Sequence, residues 1–204
     1  MHRGDRIAGF QEYIGSYISE NRNEIVHGFL ASGGEWLMMF DTDVVINVDD
    51  FDVLIDAADV SKYPILGGKY FLAVPNGPND TEYHISARKI SALDPVFGEW
   101  LDNYPDNGII DNLHSLGMGY VLIHRSVFER IAQNNPGHPY PWFADGYFPA
   151  FGTNISEDVY FYDQCRKAGI NIALHTGADS VHLSKLPMTE AVFVRENGFV
   201  WLEK

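Results

Sequence analysis

The stretch "EWLMMFDTD", residues 35–43, decides how this chain is read. A run of large apolar residues, Trp36–Phe40, stops abruptly at two carboxylates separated by one threonine. An unbroken apolar run of strand length is expected where a sheet is covered on both faces. In an extended chain, residues i and i+2 point to the same side, so Asp41 and Asp43 are expected to converge at the carboxyl end of a central strand. Open α/β sheets bind their ligands at that end. Two carboxylates in one small space repel unless a proton or a cation lies between them, and oxygen ligands suit Mg²⁺ or Mn²⁺. The spacing therefore predicts a divalent-cation site.

Outward from this stretch, signals for helix and strand alternate. Residues 21–32 carry Ile25, Val26, Phe29 and Leu30 at helical spacing, with Gly33-Gly34 as a stop. Asp49-Asp50 opens a helix with Phe51, Leu54, Ile55 and Ala58 on one face. Residues 63–74 form a strand region interrupted by Gly67-Gly68, residues 75–80 a turn, and residues 83–90 the returning arm of a hairpin. Residues 92–113 read as an irregular excursion and residues 118–124 as a strand. "SVFE", residues 126–129, reads as a capping box opening a helix. Residues 134–153 hold four prolines with Trp142, Phe143, Tyr147, Phe148 and Phe151. Such a loop either binds a ligand or folds onto its own aromatic core. Ser156 caps a helix running to Lys167 and ended by Gly169, and residues 170–175 form the last strand. The alternation predicts one α/β domain over residues 1–204 with a mixed, mostly parallel sheet.

Bulk properties narrow the function. The net charge is −14, from 28 acidic and 14 basic residues, which disfavours nucleic acid and anionic lipid as partners. No apolar run is long enough to cross a bilayer, so no membrane insertion is expected. The single cysteine, Cys165, excludes an intrachain disulfide and a cysteine zinc cluster and fits a reducing cytoplasm. There is no G-x-x-x-x-G-K-[ST] loop, G-x-G-x-x-G turn, G-x-S-x-G elbow or H-E-x-x-H helix.

Four segments carry a family resemblance. "NRNEIVHGFLASGGEWLMMFDTDVVI" (residues 21–46) resembles the helix, strand and D-x-D motif of GT-A fold glycosyltransferases, in particular family 2. "LGMGYVLIHRSVFERI" (residues 116–131) resembles the acceptor-side strand and helix of that family. "SEDVYFYDQCRKAGI" (residues 156–170) is similar to the segment with its Glu-Asp pair, and "ADSVHL" (residues 178–183) to its closing stretch with a histidine. The compact form resembles small glycosyltransferases encoded by bacteriophages, which implies the host cytoplasm as the location. The family usually begins with a strand and helix that cradle the nucleotide base. Here "GFQEYIGSYI", residues 9–18, contains no convincing apolar strand and either replaces that unit in altered form or leaves it absent.

The resemblance implies roles. Asp41, Asp43 and His182 hold Mn²⁺ or Mg²⁺, with His175 the runner-up histidine, and the ion bridges the diphosphate of a nucleotide-sugar donor, UDP-linked by expectation. Arg22, Asn23 and Asp41 contact that donor. Asp158 takes the proton of an acceptor hydroxyl on a carbohydrate or protein, giving inversion, and Glu157 binds acceptor hydroxyls. A first-turn position favours an ionised Asp158 by the helix dipole, but carboxylates stand in first turns for that reason alone too. Gly117 and Gly119 are expected to permit close backbone approach. Two further readings stand: a truncated, non-catalytic GT-A domain that binds carbohydrate or protein, and a sugar nucleotidyltransferase.

Overall fold

The computed structural model describes residues 17–76 and 80–183, together with residues 7, 9, 10, 12, 13 and 15. The stretch at residues 9–18 thus lies partly outside the described residues. The chain opens with α1 (Ile18–Ser32), β1 (Trp36–Phe40), β2 (Val44–Ile46), α2 (Val48–Asp56) and β3 (Ile65–Lys69). A run of short strands follows: β4 (Phe71–Pro75), β5 (Thr81–Ile85), β6 (Ala87–Lys89), β7 (Glu99–Trp100), β8 (Ile109–Ile110) and β9 (Leu113–Leu116). Then come β10 (Tyr120–His124), α3 (Arg125–Asn134), β11 (Gly146–Phe148), β12 (Thr153–Ile155), α4 (Glu157–Lys167) and β13 (Ile172–His182).

The main sheet is mixed, in the order β1-β10-β3-β13-β2, with β8 paired to β13. It is not mostly parallel. Among the described residues β3–β13 is its parallel pairing, and β1–β10, β10–β3, β13–β2 and β13–β8 are antiparallel. The reason is positional. β1, β3 and β13 run the same way, but β10 runs against them and inserts between β1 and β3. Neighbour order is a long-range property that alternating helix and strand signals do not encode. For the same reason β1 is not central: among the described residues it has a neighbour only in β10, and Phe40 at its end is exposed.

Alternation along the strands divides the core in two. Val121 and Ile123 on β10, with Ile65 and Leu174, face Phe29 of α1, Phe128 and Ile131 of α3, and Phe161 of α4. Tyr120, Leu122, Leu66 and Ala173 face Leu54 of α2 on the opposite side. Helices on both faces explain why Trp36–Phe40 is apolar without interruption: Leu37 and Met39 serve one core, Trp36 and Met38 the other.

Local signals hold in places and fail in others. Gly33 ends α1 in the left-handed conformation, φ 77°, which a residue without Cβ adopts freely. Gly67 and Gly68 do not interrupt β3. A Cβ on Gly68 would lie 2.1 Å from the ring of Tyr120, so the glycine makes room for a buried aromatic. The interruption falls at Tyr70 instead. The capping box at residues 126–129 is absent: α3 starts two residues earlier, at Arg125, and its N-cap is His124, whose Nδ1 accepts from the Ser126 N–H at 3.2 Å. Residues 170–175 extend into a single long strand, β13, with a register shift between His175 and Asp179. Within the aromatic loop, Trp142 and Phe143 are core residues and Tyr147 is exposed.

Candidate functional site

The candidate residues collect where β1, β2, β13 and the start of α4 come together. The chain does not stay extended past Phe40. The Val44 N–H donates to the Asp41 carbonyl at 3.0 Å, closing a turn over residues 41–44. Asp41 and Asp43 thus do not lie on one side of an extended strand, and the two carboxylates take separate partners. Asp41 Oδ1 accepts from Arg22 Nη2 at 3.0 Å. Asp43 Oδ2 lies 3.5 Å from His182 Nε2.

That second pair is the work of sheet register. β2 and β13 pair antiparallel with His182 opposite Val44, and the Leu183 N–H donates to the Asp43 carbonyl at 2.7 Å. An imidazole nitrogen and a carboxylate oxygen thus face one another without a hydrogen bond between them, and His182 Nδ1 is buried with no partner among the described residues. A carboxylate oxygen and an imidazole nitrogen this close are two donors that one divalent cation could share. Mg²⁺ in particular keeps several waters and is commonly held by one or two carboxylates together with substrate phosphates. Asp41 is not gathered with them, and among the described residues no three His, Cys, Asp or Glu side chains form a metal-binding group. His175 is roughly 20 Å away along the same strand, at the rise of an extended chain. Its Nδ1 accepts from the Gly177 N–H.

Arg22 is buried and stands between two carboxylates. Besides Asp41, its Nη1 is 2.9 Å from Glu157 Oε1, in the first turn of α4. Burial raises the Glu157 pKa, the Arg22 charge opposes that rise, and Asp158 adds to it. Asp158 is half-buried. One of its oxygens accepts from the Ser156 hydroxyl and from the Val159 N–H, leaving the other without a partner among the described residues. Asn23 is different. Its amide donates to the Phe143 carbonyl at 2.8 Å and accepts from the Phe143 N–H at 3.2 Å, both buried. Its side chain holds the aromatic loop against α1.

Sequence reasoning missed Tyr70. Its ring centroid lies 5.6 Å from that of His182, and its hydroxyl accepts from the Gly119 N–H at 3.2 Å. Burial pushes its pKa up to about 12, with smaller influences from the Gly119 N–H and the charges of Asp41, Arg22 and Asp158. Tyr70 therefore lies among the Asp43–His182 pair, the Arg22 bridge and Asp158. A Cβ on Gly117 or Gly119 would approach the Tyr70 hydroxyl to 1.9 or 3.1 Å, a relation that only the folded chain displays. Arg88 was missed as well. It lies over the Trp100 ring at 3.6 Å and feels the charge of Asp158.

Fold and site together define a mixed α/β domain with flanking helices and a cluster of carboxylates, imidazole, guanidinium and phenol at strand ends. No known family profile and no curated protein matches the chain. Among solved structures, it is similar to the crystal structure of A197 from STIV, with a TM-score of 0.55 and 16% identity over 89% of this chain and 75% of that one. At that identity the likeness concerns the fold. Among the described residues no helix is long and apolar enough to cross a membrane.

Proposed function

We propose that this protein is a metal-dependent glycosyltransferase of the GT-A type, moving a sugar from a UDP-linked or similar nucleotide donor to an acceptor hydroxyl on a carbohydrate or protein. The observation that carries the reading is the Asp43–His182 pair, 3.5 Å apart, standing as a two-ligand holder for Mn²⁺ or Mg²⁺. When bound, the ion supplies positive charge to the donor diphosphate. The rest is the work of the chain's own residues. Asp158 has a free carboxylate oxygen and accepts the proton of the acceptor hydroxyl. The acceptor oxygen then bonds to the anomeric carbon as the bond from that carbon to the diphosphate breaks, with inversion. Glu157 and Arg22 fix the wall beside it. The buried lone Cys165 fits a reducing cytoplasm as the place of action.

A second reading has its own observation. Arg22 occupies Asp41, so one of the two D-x-D carboxylates is already neutralised by the protein. This favours a GT-A-like domain that binds carbohydrate or a protein partner without turnover.

Calorimetric titration of UDP and GDP, with and without Mn²⁺, separates the two. Binding of one nucleotide only when Mn²⁺ is present supports the transferase and identifies its donor class. No binding under either condition removes the transferase reading and leaves the binding module.

A further inference from the structure

Tyr70 is the first residue past β3 and is 4% exposed. Its hydroxyl accepts from Gly119, but its own proton has no acceptor among the described residues. A buried donor without an acceptor is costly and marks a place where water or a ligand completes the bonding. The backbone around it is cut back to bare glycine. A Cβ on Gly119 would stand 3.1 Å from the Tyr70 hydroxyl and 3.2 Å from Asp41 Oδ2, so both oxygens look onto the same stretch of chain. The nearby cations are committed elsewhere: Arg22 to Asp41 and Glu157, and Lys69 to Asp179 at 3.2 Å. The Tyr70 O–H is a neutral donor whose proton is open to an incoming anionic oxygen.

Resting on the transferase reading, we propose that Tyr70 touches the nucleotide donor directly, its hydroxyl donating a hydrogen bond to an oxygen of the distal phosphate. Negative charge develops on that phosphate as the sugar leaves it. A fixed dipole aimed at the developing charge stabilises it. A dipole does so without adding another buried cation to pair.

The test is Tyr70→Phe, which keeps the ring and removes the hydroxyl. UDP and UMP, each with Mn²⁺, are titrated into the wild-type protein and the variant, or GDP and GMP if guanine is the bound base. The expected result is a loss of about tenfold or more for the diphosphate, the size of a hydrogen bond to a charged group, with the monophosphate unchanged. An equal loss for both nucleotides assigns Tyr70 a purely structural role through Gly119 and overturns the proposal. No loss for either also overturns it, and in both cases the transferase reading stands. Wild-type protein that binds neither nucleotide overturns both. If the variant does not fold, the ultraviolet difference spectrum of the wild type replaces it. A tyrosine perturbation produced by UDP and not by UMP supports the contact, and its absence rejects it.

Discussion

Arg22 Nη2 donates to Asp41 Oδ1 at 3.0 Å, which ties the second turn of α1 to the end of β1. The same guanidinium is 2.9 Å from Glu157 on α4, so one side chain joins three elements of the fold. Only the Asp41 end is half-exposed, with 48% of its side chain accessible against 10% for Arg22. Removing the arginine leaves a buried carboxylate unpaired, whereas removing Asp41 leaves an arginine that still has Glu157. Arg22→Ala is expected to cost about 2–4 kcal/mol and Asp41→Asn under about 1 kcal/mol, read from urea denaturation midpoints. Arg22→Lys does not restore the difference, because an ammonium lacks the planar fork that reaches both carboxylates.

Glu157 gives this bridge a pH dependence. Its folded pKa is raised above the ordinary 4.5, with burial the largest cause. Between the unfolded and folded values the native state binds more protons, so the stability Glu157 contributes is full below the unfolded value and is lost as pH rises through the folded one. Stability measured across the range just above pH 4.5 should therefore fall less steeply in Glu157→Gln than in the wild type. An unchanged slope would show that Arg22 cancels the burial.

Asn23 makes two buried hydrogen bonds to the main chain of Phe143. Asn23→Ala strands a buried N–H and a buried carbonyl, at a cost of about 2–3 kcal/mol. The loosened segment should show as faster hydrogen exchange at Phe143 and its neighbours, while β13 keeps its protection.

These outcomes bear on what the amino-acid sequence could show. α1 ends at Gly33 and Trp36–Phe40 forms a strand because both signals are local: a left-handed stop and an apolar run with two cores to serve. The Asp43–His182 pair was reached by motif order, since register between β2 and β13 is not written in any one segment. The divergence of Asp41 from Asp43 was not legible. It goes with main-chain hydrogen bonds that fold the chain here, from the Val44 N–H to the Asp41 carbonyl and from the Leu183 N–H to the Asp43 carbonyl. The insertion of β10 between β1 and β3, and with it the edge position of β1, is likewise a matter of which strands meet. Tyr70 was hidden because it follows a strand as an unremarkable aromatic. Only the folded chain shows that Gly117 and Gly119 are bare on its account.

Gly68 offers a test of packing away from the candidate site. A Cβ there would lie 2.1 Å from two ring carbons of Tyr120, which is fully buried and hydrogen-bonded through its hydroxyl to the Asp50 carbonyl at 3.0 Å. The ring cannot withdraw without breaking that bond. Gly68→Ala is expected to destabilise by about 3 kcal/mol, at the upper end of overpacking costs. Tyr120→Leu should absorb part of that cost in the double variant, giving a less than additive sum in thermal melts.

The separate partners of Asp41 and Asp43 rank the two carboxylates for metal binding. Asp43 faces His182 at 3.5 Å, a pair that carries charge on both sides only when the imidazole is protonated, so an ion entering there meets no permanent cation. An ion drawn to Asp41 must compete with Arg22, whose guanidinium already compensates that charge. Asp43→Asn and His182→Ala are each expected to weaken Mn²⁺ binding by tenfold or more, while Asp41→Asn weakens it by less, in titrations followed by the electron paramagnetic signal of free Mn²⁺. Equal losses at Asp41 and Asp43 would mean that Arg22 releases Asp41 when the ion arrives, and Arg22→Ala should then tighten Mn²⁺ binding rather than leave it unchanged.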